Sequence, residues 1–216
     1  MINFVIPDFF YNASLINFLA EKVKYESHSI KAPINISSAS GNFPFAIWNG
    51  QYNIIQGPAG NIRYFPLKYE YKMIRKIGTP IRLNCSNVCI DESMYNDAHM
   101  NVILNECYNM SNYIEISNLE LYGYIHERYP DYRFVFSHNA DLIHPFDIDL
   151  INSFVSFEQL DKVQLPVRLV EDFELLKQIQ NKSKIELPVN SLCPATCPSY
   201  AECHIRNDEQ QINYSG

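Results

Sequence analysis

The chain has 216 residues, 47% hydrophobic and 19% charged, which is the composition of a globular chain with room for a sizeable core and excludes a disordered one. Seventeen basic against 24 acidic residues give a net charge of −7 with no block of Lys or Arg, which disfavours binding to a nucleic-acid backbone. No segment approaches the ~18 consecutive apolar residues of a membrane span.

The first residues, Ile2-Asn3-Phe4-Val5-Ile6, form a short apolar run closed by Pro7-Asp8 and read as a buried strand. No Lys or Arg precedes that run, so it does not read as a signal peptide, and a cytoplasmic, reducing compartment is expected. Asn12 reads as the N-cap of a helix from Ala13 to about Glu26, with Leu15, Phe18, Leu19 and Val23 on one face. Ile34-Asn35-Ile36 reads as a second strand, and Ser37 to Pro44 as a loop. Residues 45–64 show no regular pattern, and Phe65 to Ile77 reads as a helix stopped by Gly78.

A steady alternation follows. Ile81–Cys85 is a strand and Asp91–Cys107 a helix; Tyr113–Ile116 is a strand and Leu119–Arg128 a helix; Arg133–Phe136 is a strand, followed after Pro145 by a helix over Asp149–Gln159. Val163-Gln164-Leu165 begins a strand, Asp172–Gln180 is a helix, and Ile185-Glu186-Leu187 a strand. Such alternation implies βαβ units with parallel pairing, and no composition shift divides the chain. The expectation is one α/β domain over 1–216, a TIM-type and incomplete barrel of about seven parallel strands. The competing architecture is a doubly wound open sheet, but the Gly-rich phosphate loop of a Rossmann start is missing after the first strand.

Candidate site residues cluster just after the strands: Asp8, then Asn84 with Ser86 and Asn87, then Asn118, Ser137 with His138, and Asn190. In parallel α/β architectures these positions share one mouth, where active sites lie. Ordinary turn and cap chemistry uses the same residue types, so each position alone carries little. His138 is the acid–base candidate, because an imidazole titrates near neutral pH. Asp97 and Asn101, four apart on one helical face, are a further pair that either reaches the cleft or caps a neighbouring loop. Trp48 and Asn49, in the Phe43-to-Gly50 segment, either stack on a ligand or plug the barrel end.

The C-terminal run Cys193-Pro-Ala-Thr-Cys197-Pro-Ser-Tyr-Ala-Glu-Cys203-His204 places three thiols and an imidazole in a short stretch. Thiolates select zinc or an iron–sulfur cluster, which is the expected cofactor, with Cys193, Cys197, Cys203 and His204 as metal ligands. Three buried free cysteines would read the same way. Other signatures fail. Tyr200 stands where a C-x3-C-x2-C radical-enzyme motif needs its third cysteine, His126-Glu127 lacks the second His of H-E-x-x-H, no H-x-E accompanies the cysteines, and no G-x-S-x-G elbow occurs.

The segments Phe43-Pro44 to Trp48-Asn49-Gly50, Ile81-Arg82-Leu83 through Asn87 to Asn96-Asp97 and Asn101, Tyr129-Pro130, Phe173 to Ile179, and Val189-Asn190 to Cys193 and Cys197 together resemble an uncharacterised family of bacterial and phage proteins. That family in turn resembles the U32 peptidase-like proteins. The resemblance spans most of the chain from residue 40 onward and implies a TIM-barrel-type fold, with Cys193, Cys197 and Cys203 matching the cysteines that hold a cluster there. The chain supplies no fourth cysteine in an obvious place and no proteolytic nucleophile. Two functions follow as expectations. One is a metal- or iron–sulfur-dependent enzyme acting on a small polar or nucleotide-like substrate at the strand ends. The other is a non-catalytic binding or assembly protein, phage-encoded, that uses the same cleft for a partner.

Overall fold

The computed structural model describes residues 2–26, 34–43, 46–50, 78–108, 111–189, 193–194 and 196–215. The elements run β1 (Ile2–Ile6), α1 (Phe9–Glu26), β2 (Ile34–Gly41), β3 (Ile81–Cys85), α2 (Ala98–Glu106), β4 (Tyr113–Ile116), α3 (Leu119–Arg128), β5 (Arg133–Phe136), α4 (Ile148–Ser156), β6 (Leu160–Gln164), α5 (Phe173–Gln178), β7 (Ile185–Glu186) and α6 (Tyr200–Ser215). Short 3-10 turns at Glu92–Met94, His138–Leu142, Val167–Leu169 and Lys182–Lys184 join them.

All seven strands pair in parallel, in the order β1-β2-β3-β4-β5-β6-β7. A doubly wound sheet reverses its strand order at a switch point, whereas this order never reverses, so the chain winds one way as in a TIM barrel. The sheet curls into a half-barrel. Arg82 on β3 touches Glu186 on β7 at 2.7 Å. On a flat sheet the four intervening steps would hold them about 19 Å apart, farther than the two side chains can bridge. Among the described residues no ladder joins β7 back to β1, so the barrel is incomplete.

Strand alternation sorts the side chains. Ile81, Leu83, Cys85, Ile114, Ile116, Phe134, Phe136, Leu160 and Val163 are buried and pack with Met100, Ile103 and Leu104 of α2, Leu121 and Ile125 of α3, and Ile151 and Val155 of α4. Arg82, Glu115, Gln164 and Glu186, on the opposite phase, meet one another inside the curl. The hydrophobic core is therefore the shell between sheet and helices, and the interior is polar.

Several boundaries depart from the sequence expectation. Ser37–Gly41 belongs to β2 rather than to a loop, because small residues let the strand pair with β1 and β3 at once. Ser40 stands beside Arg82 in that ladder. A side chain at Gly41 would lie only 2.9–3.1 Å from the Phe9 ring. Helix α1 starts at Phe9, so Asn12 is inside it and turns its amide back to the Pro7 carbonyl at 3.3 Å. Asp8, at φ 63, makes the left-handed turn that lets β1 pass into α1 so abruptly. The expected helix over Asp91–Cys107 is broken: a 3-10 turn ends at Met94, and Asp97 starts α2 by accepting from Met100 N at 2.7 Å. The expected helix over 65–77 lies outside the described residues.

Candidate functional site

Parallel pairing carries every strand's C-terminal end to the same side, so the predicted strand-end residues share a mouth by topology. What most of them do there is structural. Asn84 Nδ2 donates to Gly50 O at 3.0 Å while its Oδ1 accepts from Ser86 N and Ser86 Oγ, at 3.1 and 2.5 Å. Asn87, fully buried, donates to Ile47 O at 2.9 Å and Asp208 O at 3.0 Å and accepts from Cys89 N at 2.8 Å. Asn118 caps α3 through Leu121 N at 2.6 Å. Asn101 donates to Tyr95 O and Asp97 O and accepts from the Tyr124 hydroxyl. Asp97 is the N-cap of α2, accepting from Met100 N at 2.7 Å. Asparagine is chosen at these places because it satisfies backbone donors and acceptors simultaneously, which loops crossing a barrel end need.

Trp48 and Asn49 are likewise engaged within the fold. Trp48 is 0% exposed, donates from Nε1 to Met94 O at 3.1 Å, and sets its ring edge-on to Tyr124. Asn49 is buried and donates to Phe43 O at 2.6 Å. Neither has a free face to offer. Gly50 completes this plug: a Cβ there would collide with the Ser86 side chain and come within 2.6 Å of Asn139 Nδ2. Asp8 lies after β1, half-buried, and Asn190 lies outside the described residues.

Two predicted residues do meet at a site, together with four that sequence reasoning did not single out. Ser137, ending β5, donates to Glu115 Oε1 at 2.8 Å. Gln164, at the end of β6, donates from Nε2 to Glu115 Oε2 at 3.1 Å and offers Oε1 to His138 Nδ1 at 3.0 Å. Arg82 gives both terminal nitrogens to Glu186 and holds Nη1 3.8 Å from Glu115 Oε2. Burial opposes the Arg82 charge, but the Glu186 and Glu115 carboxylates outweigh it and hold the guanidinium above its ordinary pKa. A line of polar contacts thus runs from the buried Arg82–Glu186 pair through Glu115 and Gln164 to half-buried His138 at the mouth. The signal for it was present: Arg82, Glu115 and Glu186 sit at inward phases of strands whose outward phases are apolar. A charged residue inside a short apolar strand marks an interior that is not an oil core.

Helix α6 lies across the loops at this mouth. Asp208 accepts Val88 N at 2.9 Å, Gln211 donates to Ala46 O at 3.2 Å, and α6 packs on the His138–Leu142 turn. It brings His204, its ring against Tyr200 at 4.2 Å, close enough to His138 to feel its charge; burial first, and His138 second, lower the His204 pKa. The C-terminal thiols sit in and just before this helix. Cys203 lies within α6 with Arg206 Nη2 3.6 Å from its sulfur, while Cys193 and Cys197 lie in the segment before it. Among the described residues no three His, Cys, Asp or Glu side chains are grouped to hold a metal ion. No described helix is long and apolar enough to cross a membrane.

Set against protein-family models, curated proteins and solved structures, the chain matches none.

Proposed function

We propose that this protein is an enzyme that binds a small polar molecule at the C-terminal mouth of its half-barrel and uses His138 as the acid–base group. The observation that supports this reading most is the placement of His138: half-buried at a strand end, and backed by Gln164 at 3.0 Å and, through it, by Glu115 at 3.1 Å. TIM-type interiors are ordinarily filled with branched apolar side chains. Replacing them with a buried ion pair and a hydrogen-bonded carboxylate costs desolvation, and packing alone gives no return for it. A polar chain that ends on a titratable ring at the catalytic face is the arrangement general acid–base catalysis uses.

The second reading, a non-catalytic binding or assembly protein of phage origin, draws on a different observation. Asn84, Asn87, Asn101 and Asn118 are all engaged with backbone or neighbouring side chains, so the row of strand-end amides holds loops together. Kinship with the U32 peptidase-like proteins is likewise a proposal, resting on the segments quoted above.

The test is a thermal-shift screen of small polar metabolites on the wild type and on His138→Gln. The enzyme reading expects at least one compound that raises the melting temperature of the wild type and fails to do so in the variant. A screen in which every stabilising compound acts equally on both proteins removes His138 from the site and overturns the reading.

A further inference from the structure

The contacts behind His138 determine which of its nitrogens faces the mouth. Glu115 as a carboxylate is an acceptor only, and it receives Ser137 Oγ at 2.8 Å and Gln164 Nε2 at 3.1 Å. The Gln164 amide must therefore turn its NH2 toward Glu115, which presents the carbonyl Oε1 to His138 Nδ1 at 3.0 Å. A carbonyl oxygen accepts and cannot donate, so Nδ1 carries the ring proton and Nε2 keeps its lone pair. The buried ion pair adjoins this relay, with Arg82 Nη1 3.8 Å from Glu115 Oε2.

Charge narrows the choice of bound molecule. Arg82, Glu115 and Glu186 sum to one negative charge, and both Arg82 terminal nitrogens are engaged by Glu186. Arg168 is paired with Asp141 of the turn that begins at His138, and Lys162, two residues before Gln164 on β6, donates to Ser183 O at 2.6 Å. None of these described Arg and Lys side chains is an uncommitted cation that could receive a phosphate or carboxylate.

We propose that Gln164 and Glu115 are positioning residues that hold His138 as an Nδ1–H tautomer with Nε2 as proton acceptor, and that the mouth takes an uncharged or cationic hydrogen-bond donor, an alcohol, amide or ammonium, in preference to an anion. The inference rests on the acid–base reading above. In the step itself the donor's O–H or N–H bond breaks, its electron pair stays on the substrate atom, and the proton forms a new bond to Nε2. The resulting imidazolium is compensated by Glu115 through Gln164, and no other reactant is required.

The experiment is a long-range 15N–1H correlation of the histidine rings in protein carrying 15N-histidine, recorded at pH 8 on the wild type, Glu115→Gln and Gln164→Leu. The expected wild-type His138 spectrum shows a protonated Nδ1 and an unprotonated Nε2. Either variant should move His138 toward the Nε2–H form that free imidazoles favour, a change that loss of packing alone would not produce. A wild-type ring already in the Nε2–H form overturns the inference, and this arm needs no variant to fold. So does an unchanged tautomer in folded variants. Acetamide, ethanolamine, acetate and inorganic phosphate are then added to the wild type. Movement of the His138 signals by acetamide or ethanolamine alone supports the ligand class, and movement by acetate or phosphate overturns it. If the tautomer is as stated but none of the four moves the ring, the ligand class and the acid–base reading both fail while the positioning role stands. The two failures are thereby distinguished.

Discussion

Arg82 and Glu186 stand four strands apart in the sheet order, yet two pairs of their atoms meet at 2.7 Å across the interior of the curl. Arg82 is 1% exposed, so the pair works in a poorly hydrated space, where removing one partner leaves a buried charge unbalanced. Arg82→Met is expected to lower stability by roughly 3–5 kcal/mol, because Glu115 and Glu186 both lose their cation. Glu186→Gln should cost less, since the Glu186 side chain is 20% exposed and water replaces part of the interaction. Urea unfolding of both variants checks the order; equal costs would mean that the pair does not tie β7 to β3 as described.

The plug over the barrel end rests on Gly50 and Trp48. Gly50→Ala puts a methyl where Ser86 and Asn139 already lie, and an overpacked site of this kind typically loses about 1–3 kcal/mol. Trp48→Phe leaves the Met94 carbonyl without its donor and opens a gap, with an expected loss of roughly 1–3 kcal/mol. The sequence has one tryptophan, so wild-type fluorescence reports this plug directly. Blue-shifted emission that moves red in one cooperative unfolding step is the expected record.

Stability should fall on mild acidification. Burial and the neighbouring His138 depress the His204 pKa below its ordinary 6.5. The unfolded chain then binds a proton at this position more readily than the folded one, so stability is full above pH 6.5 and is lost as pH falls through and below that value toward the folded pKa. His204→Gln should flatten that part of the profile in chemical denaturation series from pH 8 to 5.

Thiol chemistry separates the six cysteines. Cys85 and Cys107 are buried, and burial pushes the Cys85 thiol strongly upward. Cys89 is raised to about 11 by burial and by Asp208 and Glu209. Cys193, Cys197 and Cys203 are partly exposed. Iodoacetamide at pH 8, read by peptide mass spectrometry, should label these three well before Cys89, Cys85 and Cys107. Joint protection of the three after incubation with zinc, or after iron–sulfur reconstitution, would show that the segment rearranges to gather its thiols around a metal.

Much of the architecture was legible in the residues because its signals are local. Ile81–Cys85, Tyr113–Ile116, Leu119–Arg128 and Arg133–Phe136 carry their own periodicity and stop signals, and they form as expected. The count of seven parallel strands followed from the same rhythm. Where the local signal was mixed, tertiary contact decided. The Ser-rich stretch Ser37–Gly41 has loop composition but becomes a strand because neighbours on both sides supply its hydrogen bonds, and the thiol-rich segment runs into a helix that holds Cys203 and His204.

The site divides along the same line. That an imidazole, His138, would stand at a strand end was a property of sequence order and residue type. Which partners it would have was not, because Gln164, 26 positions away, reaches it, and Glu115, 23 positions away, backs it through Gln164, only when β4 and β6 pair on either side of β5. A period-two pattern says that Arg82, Glu115 and Glu186 share a phase; only the closure of strands onto one another brings those charges within bonding distance. The strand-end asparagines show the converse. Residue type made them look like ligand groups, and the three-dimensional course of the loops over the barrel end turned their amides to backbone instead.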